Sequence, residues 1–118
     1  MHNFRQLNIW KDAMKLAKSV YRLTATFPAN ERYGLTSQIN RSVVSVASNI
    51  AEGSSRSSDK EFMHFLSISI GSLFELETQI ILANDFEFIV KEDTEVLIAE
   101  IIILQKMITN FRKTLNKA

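Results

Sequence analysis

A chain of 118 residues, 46% hydrophobic and 23% charged, is long enough to bury roughly two-thirds of the surface its unfolded form exposes, and too short for two ordinary domains. It contains no cysteine, which excludes a disulfide framework, a thiolate metal site and a cysteine nucleophile. One proline and three glycines among many Leu, Ile, Ala, Glu and Lys residues point to helices with few connections, and so to an all-α protein with a single domain over 1–118.

The formal net charge of +1 is unevenly placed. Residues 1–30 carry five bases against one acid, and residues 101–118 carry Lys106, Arg112, Lys113 and Lys117 with no acid. Residues 31–100 carry five bases against twelve acids, so both ends are basic and the centre is acidic. The first residues lack the apolar run of a signal peptide. The longest charge-free window, Phe62 to Phe74, is short for a bilayer span and contains His64. A cytoplasmic protein with no membrane partner is expected.

In chain order, the first helix is predicted over about 4–27, where Phe27-Pro28 stops it because the residue before proline is pushed out of the helical region. Leu7, Trp10, Met14, Ala17, Tyr21 and Thr24 form its expected core face. Lys11, Lys15, Lys18 and Arg22 recur at spacings of four, three and four, a stripe about 60° wide without an acid. It is either an ordinary solvated face or a ridge for phosphates.

The second helix is expected over about 33–52, stopped by Gly53 as a glycine just past the helix end. Leu35, Ile39, Val43, Val46 and Ile50 share its apolar face. Gln38, Arg41, Ser45, Asn49 and Glu52 form a polar stripe beside it, where a desolvated group without a partner would cost about 1–3 kcal/mol. Arg41 is the one formal charge between Arg32 and Glu52, so it is expected to pair with Glu75 or Glu52, with Gln38, Ser45, Asn49 and Ser72 completing a structural polar network.

Ser58 and Glu61 have capping-box spacing for a third helix over about 59–83. Phe62, Leu66, Ser69, Leu73, Leu76, Ile80 and Ala83 keep a strict four-three spacing, the pattern of a bundle seam. Further apolar lines, Met63-Ile70-Phe74-Ile81 and Phe65-Ile68-Leu82, exceed what one small bundle needs to cover and predict self-association. Phe86, Phe88 and Ile89 are expected to fold over the bundle end. Leu97, Ile101, Leu104, Ile108, Phe111 and Leu115 give the seam of a fourth helix over about 92–115, with Ile98 and Ile102 off it as further contact candidates. Arg112, Lys113 and Lys117 suit its negative end.

Four helices with short connections imply an up-down-up-down four-helix bundle. In that topology the first and fourth helices are neighbours, and Lys11, Lys15, Lys18 and Arg22 are expected to merge with Lys106, Arg112 and Lys113 into one basic face for RNA or DNA. Glu61-x-x-His64 has the spacing of a carboxylate-bridged di-iron bundle, yet such a site needs a second pair, and the only other histidine is His2. No catalytic residue, metal ligand or cofactor is assigned. The alternatives are a protein-binding scaffold without nucleic-acid contact and, third, a metal-dependent or small-molecule enzyme using the polar stripe.

Phe27-Pro28, Tyr33-Gly34-Leu35-x-Ser37-Gln38-Ile39-x-Arg41, Ser45, Asn49-Ile50-Ala51-Glu52-Gly53 and Gly71-Ser72-Leu73-x-Glu75-Leu76-Glu77 carry a family resemblance over nearly the whole chain. The sequence resembles the small bacterial four-helix-bundle proteins encoded in intervening sequences of 23S ribosomal RNA genes. Asn40 and Ser42 depart from that pattern, which often has a basic and a small apolar residue there. The resemblance implies a four-helix bundle that assembles into a homopentamer, and it does not imply an enzyme. It also implies a distant kinship with accessory proteins of diversity-generating retroelements, which bind a reverse transcriptase and nucleic acid through basic surfaces.

Overall fold

The structure, a computed structural model, describes residues 2–115. Four helices, α1 (Asn8–Thr24), α2 (Leu35–Ser54), α3 (Asp59–Asp85) and α4 (Lys91–Leu115), account for most of them, and no strand occurs among the described residues. Short connections turn each helix back along the one before, giving an up-down-up-down four-helix bundle of 48 × 24 × 20 Å. α2 packs between α1 and α3, and α4 closes the square between α3 and α1.

The first helix departs from expectation at both ends and in its phase. Phe4–Gln6 is a separate 3-10 turn, capped by Asn3 Oδ1 accepting the Arg5 N–H at 3.2 Å, and Leu7 is extended before α1 begins. α1 stops at Thr24; the Thr26 hydroxyl donates back to the Leu23 carbonyl at 2.7 Å, and the buried Thr24 hydroxyl donates across to Asn40 Oδ1 on the next helix at 2.9 Å. Phe27 then turns inward ahead of Pro28 and packs on Phe88, ring centroids 5.6 Å apart. The buried line is Ile9, Ala13, Leu16, Val20 and Thr24; the expected line of Leu7, Trp10, Met14 and Ala17 is only half-covered, and Tyr21 is 48% exposed. Both lines keep helical spacing, and the one with narrower side chains lets α1 approach its neighbours while Trp10 packs sideways on Phe4.

α2 begins at Leu35, whose N–H is accepted by Glu31 Oε1 at 3.2 Å, and runs through Gly53 to Ser54. Gly53 therefore does not terminate the helix. It is buried inside the last turn without a positive φ, and a Cβ there would stand 2.8 Å from Phe62 Cδ1 and 2.7 Å from Phe65 Cβ. The glycine lets α2 meet α3 at the point where the chain doubles back.

α3 opens as expected, with Ser58 Oγ accepting the Glu61 N–H at 3.2 Å; the hydroxyl, rather than the backbone N–H, faces Glu61 Oε1 at 3.4 Å. Every residue of its predicted seam is buried, and so are Ser72 and Gln79 beside it. By length and composition α3 is apolar enough to cross a bilayer; in the bundle 39% of its most apolar stretch is buried, supplying the core seam, and the remainder faces outward. The helix ends in a Schellman turn, with Phe88 N–H donating to Ala83 O and Glu87 N–H to Asn84 O, both at 2.9 Å. Glu87 takes the left-handed position at φ 65°. Ile89 is buried and Phe88 half-buried over the bundle end, whereas Phe86 lies 59% exposed because the tight turn points it outward.

In α4, Leu97, Ile101, Leu104 and Ile108 are buried, and Phe111 and Leu115 pack against the same core. At that end the His2 backbone N–H donates to Ser54 O at 3.1 Å, and its ring lies 5.0 Å from Phe62 and 6.2 Å from Phe111. The N-terminal segment thus ties the end of α2 to α3 and α4.

Candidate functional site

The polar stripe of α2 meets α3 through small side chains. Ser45 and Ser72 share a hydroxyl–hydroxyl hydrogen bond of 2.9 Å, and Asn49 Nδ2 donates to Ser45 O and Oγ at 2.8 and 3.0 Å. Ser69, fully buried, donates to Val46 O at 2.9 Å. Ser42 Oγ lies 3.0 Å from Glu75 Oε1, 2.9 Å from Gln79 Oε1 and 3.0 Å from Gln38 O. One hydroxyl proton serves one acceptor. With the Gln79 amide turned over, its N–H donates to Ser42 and the hydroxyl proton goes to Glu75, satisfying both side chains.

Three members of the predicted network stand elsewhere. Arg41 is exposed and forms no ion pair among the described residues, so the expected pairing with Glu75 or Glu52 is absent. The reason is geometric: Arg41 projects from the outer side of α2, one residue away from the edge where Ser42 meets Glu75. Glu52 binds Arg56 one turn later, at 2.9 Å, and Arg56 covers the Phe65 ring at 4.7 Å. Gln38 is exposed and contributes only its backbone carbonyl. Ser42 and Gln79 are the members that sequence reasoning missed. Their signal was their spacing, since Ser42 lies three residues before Ser45 and Gln79 four after Glu75.

The basic residues divide into groups. Lys11, Lys15, Lys18 and Arg22 are all exposed on α1, and none forms an ion pair among the described residues. Lys18 and Arg22 border a shallow surface with Met14, Ala17 and Tyr21. Lys106 and Lys113 border a different one, between α3 and α4, beside Phe74 and Gln105. Arg112 turns onto α3, where its Nε–H reaches Met63 O at 3.1 Å and Ser67 Oγ at 2.9 Å. The α1–α4 seam itself carries Asp12, Asp93 and Glu100 with Lys15. A single merged basic face is therefore not formed: α1 and α4 are neighbours, but acids separate their bases. Lys117 lies outside the described residues.

Glu61 serves the N-cap of α3, and His64 is exposed with its ring 5.7 Å from Phe65. Among the described residues no three histidine or carboxylate side chains converge on a common point. Gln105, buried on α4, donates to Glu77 at 2.9 Å, and Thr94 donates to Asn84 at 3.0 Å. These bonds fix the register of α4 on α3.

No curated protein matches the sequence. Among solved structures the fold is similar to that of a Bacteroides thetaiotaomicron protein of unknown function from the S23 ribosomal protein family. The TM-score is 0.81 at 24% identity, over 89% of this chain and 98% of that one. Residues 5–110 match the family model described as 23S rRNA-intervening sequence protein, and with the four helices and the α2 and α3 motifs in place the chain belongs to that family.

Proposed function

We propose that this protein is a non-enzymatic, cytoplasmic homo-oligomer that lays the α1 ridge of Lys11, Lys15, Lys18 and Arg22 against the backbone of RNA or DNA, within a nucleoprotein complex. The observation that carries the reading is that all four bases are exposed on one stripe and none is neutralised by an ion pair among the described residues. Half-exposed Tyr21 and Met14 adjoin Lys18 and Arg22, offering flat apolar surface to an unpaired base. Lys106 and Lys113, on another side of the bundle, act as a second and weaker contact.

Self-association is supported by the outer side of α3, where Ile68, Phe74, Ile81 and Leu82 are each between 39% and 57% exposed. A pentamer is the assembly the family resemblance implies, and a ring would repeat the ridge so that weak single contacts add through avidity. A protein partner such as a reverse transcriptase fits the same picture. The non-enzymatic reading is supported by the α2–α3 polar groups, which hydrogen-bond to one another.

Binding of a labelled RNA oligonucleotide across a salt series tests the proposal. Four phosphate contacts give a log-log slope of roughly −3 to −4. Replacing Lys11, Lys15, Lys18 and Arg22 together by Glu is expected to abolish binding with the circular dichroism unchanged, while reversing Lys106 and Lys113 weakens it less. Absence of salt-sensitive binding, or its survival in the fourfold variant, leaves the scaffold reading in its place.

A further inference from the structure

We infer that the hollow between α3 and α4 holds one unpaired nucleotide of a single-stranded RNA or DNA, its base stacked on Phe74 and its phosphates met by Lys106 and Lys113. The hollow, of about 400 Å³, falls within the size range of small-ligand sites. Two bonds between the helices bracket it: Gln105 donates from Nε2 to Glu77 Oε1 at 2.9 Å, and Arg112 donates from Nε to Ser67 Oγ, also at 2.9 Å. Phe74 lies between them on α3, as Thr109 and Asn110 do on α4.

The chemistry of the wall selects the occupant. Phe74 is 57% exposed and presents open aromatic surface. Gln105 is buried, yet its amide is half-used: beyond the bond to Glu77, its second N–H and its carbonyl have no partner among the described residues. With exposed Asn110 it offers the adjacent donors and acceptors that the edge of a splayed-out base takes. Lys106 and Lys113 are exposed and form no ion pair among the described residues. They stand two turns apart on α4, about 10 Å, so each can meet the phosphate on one side of a nucleoside. Arg112 uses only its Nε–H on α3, which leaves its terminal N–H groups next to Lys113. No carboxylate lines the hollow, since Glu77 accepts from Gln105 and Glu75 turns to Ser42 on the other flank of α3.

A duplex keeps its bases paired and offers none to the ring, and a free mononucleotide carries phosphate for only one of the two lysines. Phe74 lies about a quarter to a third of a turn around α3 from Leu82 and Ile68, so self-association through those two leaves the hollow open. The inference rests on the nucleic-acid reading above and narrows it to an unpaired strand, at residues apart from the α1 ridge.

The probes are a fluorescein-labelled single-stranded RNA of about 12 nucleotides and the same sequence annealed into a duplex, with AMP and polyglutamate as competitors. With the full chain, the single strand is expected to bind about tenfold tighter than the duplex. Phe74→Ser should lose that factor on the strand and leave duplex binding and the circular dichroism unchanged, while Phe74→Tyr, which keeps a stacking ring, should bind as the wild type does. Replacing Lys106 and Lys113 by Gln should flatten the log-log salt slope by about 1.4. Equal binding of strand and duplex, binding indifferent to Phe74, or displacement of the strand by AMP or polyglutamate as readily as by unlabelled strand would overturn the assignment. So would a lower sedimentation coefficient for Phe74→Ser, because a second copy of this chain would then cover the ring. The two nucleic-acid readings fail separately. Strand binding lost on fourfold reversal of the α1 bases but untouched by Phe74→Ser sinks this site alone, and Phe74-dependent binding that survives the reversal sinks the ridge alone.

Discussion

Gly53 and Phe65 meet so closely that a Cβ on the glycine would stand 2.7 Å from the Phe65 Cβ, a separation that packed side chains do not tolerate. Helix propensity alone favours Ala over Gly by about 1 kcal/mol within a helix. Here the contact reverses that sign: Gly53→Ala is expected to destabilise the bundle by about 1–3 kcal/mol, because α2 must back away from α3. Gly71, in the middle of α3, has nothing within 4 Å of its would-be Cβ. Gly71→Ala should therefore stabilise by about 1 kcal/mol. Urea unfolding midpoints of the two variants, moving in opposite directions, check the pair.

Glu87 occupies the left-handed position of the Schellman turn, where an L side chain costs about 1 kcal/mol relative to glycine. Glu87→Gly keeps both backbone hydrogen bonds of the turn and removes that cost, at the expense of a looser unfolded chain. A net gain of about 0.5–1 kcal/mol is expected, read as a higher melting temperature without change in helical content. Loss of stability would mean that the Glu87 side chain contributes something the turn geometry does not contain.

Ser42 serves Glu75 and Gln79, of which Gln79 is buried and Glu75 exposed. Ser42→Ala strands the buried amide while water reaches the carboxylate, for an expected loss of about 1–2 kcal/mol. Arg41→Ala, one residue along, should fall within about 0.5 kcal/mol of the wild type, since the guanidinium is exposed and unpaired among the described residues. Denaturant titration of both variants distinguishes this arrangement from one in which Arg41 is the centre of the network.

The α3 and α4 seams were legible in the sequence because apolar residues recur there at strict four-three spacing, and a bundle leaves one place for such a line to go. α1 was misphased because it carries two parallel apolar lines. The line with Trp10 and Tyr21 is the more hydrophobic to the eye, whereas the line with Ala13 and Val20 fits the space. The polar stripe lies on the expected helix, where Ser45, Asn49 and Ser72 hydrogen-bond to one another, whereas Glu75 meets Ser42 and not the expected Arg41. Its charged member was wrong because spacing gives the direction of a side chain to within a residue, while the edge between facing a neighbour and facing water is narrower than that. Gly53 was read as a terminator because local propensity knows nothing of Phe62 and Phe65, which approach it only after the chain has turned. The basic residues were legible as charge, but their separation by Asp12, Asp93 and Glu100 depends on how α1 and α4 are rotated, which no linear pattern records.

The serines and the glycine between α2 and α3 bring the two backbones nearer than any other pair, and four residues join them. Contacts so local in sequence close a small loop and lose little chain entropy, so this hairpin is expected to assemble first and template the arrival of α1 and α4. Native-state hydrogen exchange should find the slowest amides around Val46, Ile50, Leu66 and Leu73, with those of α1 opening earlier.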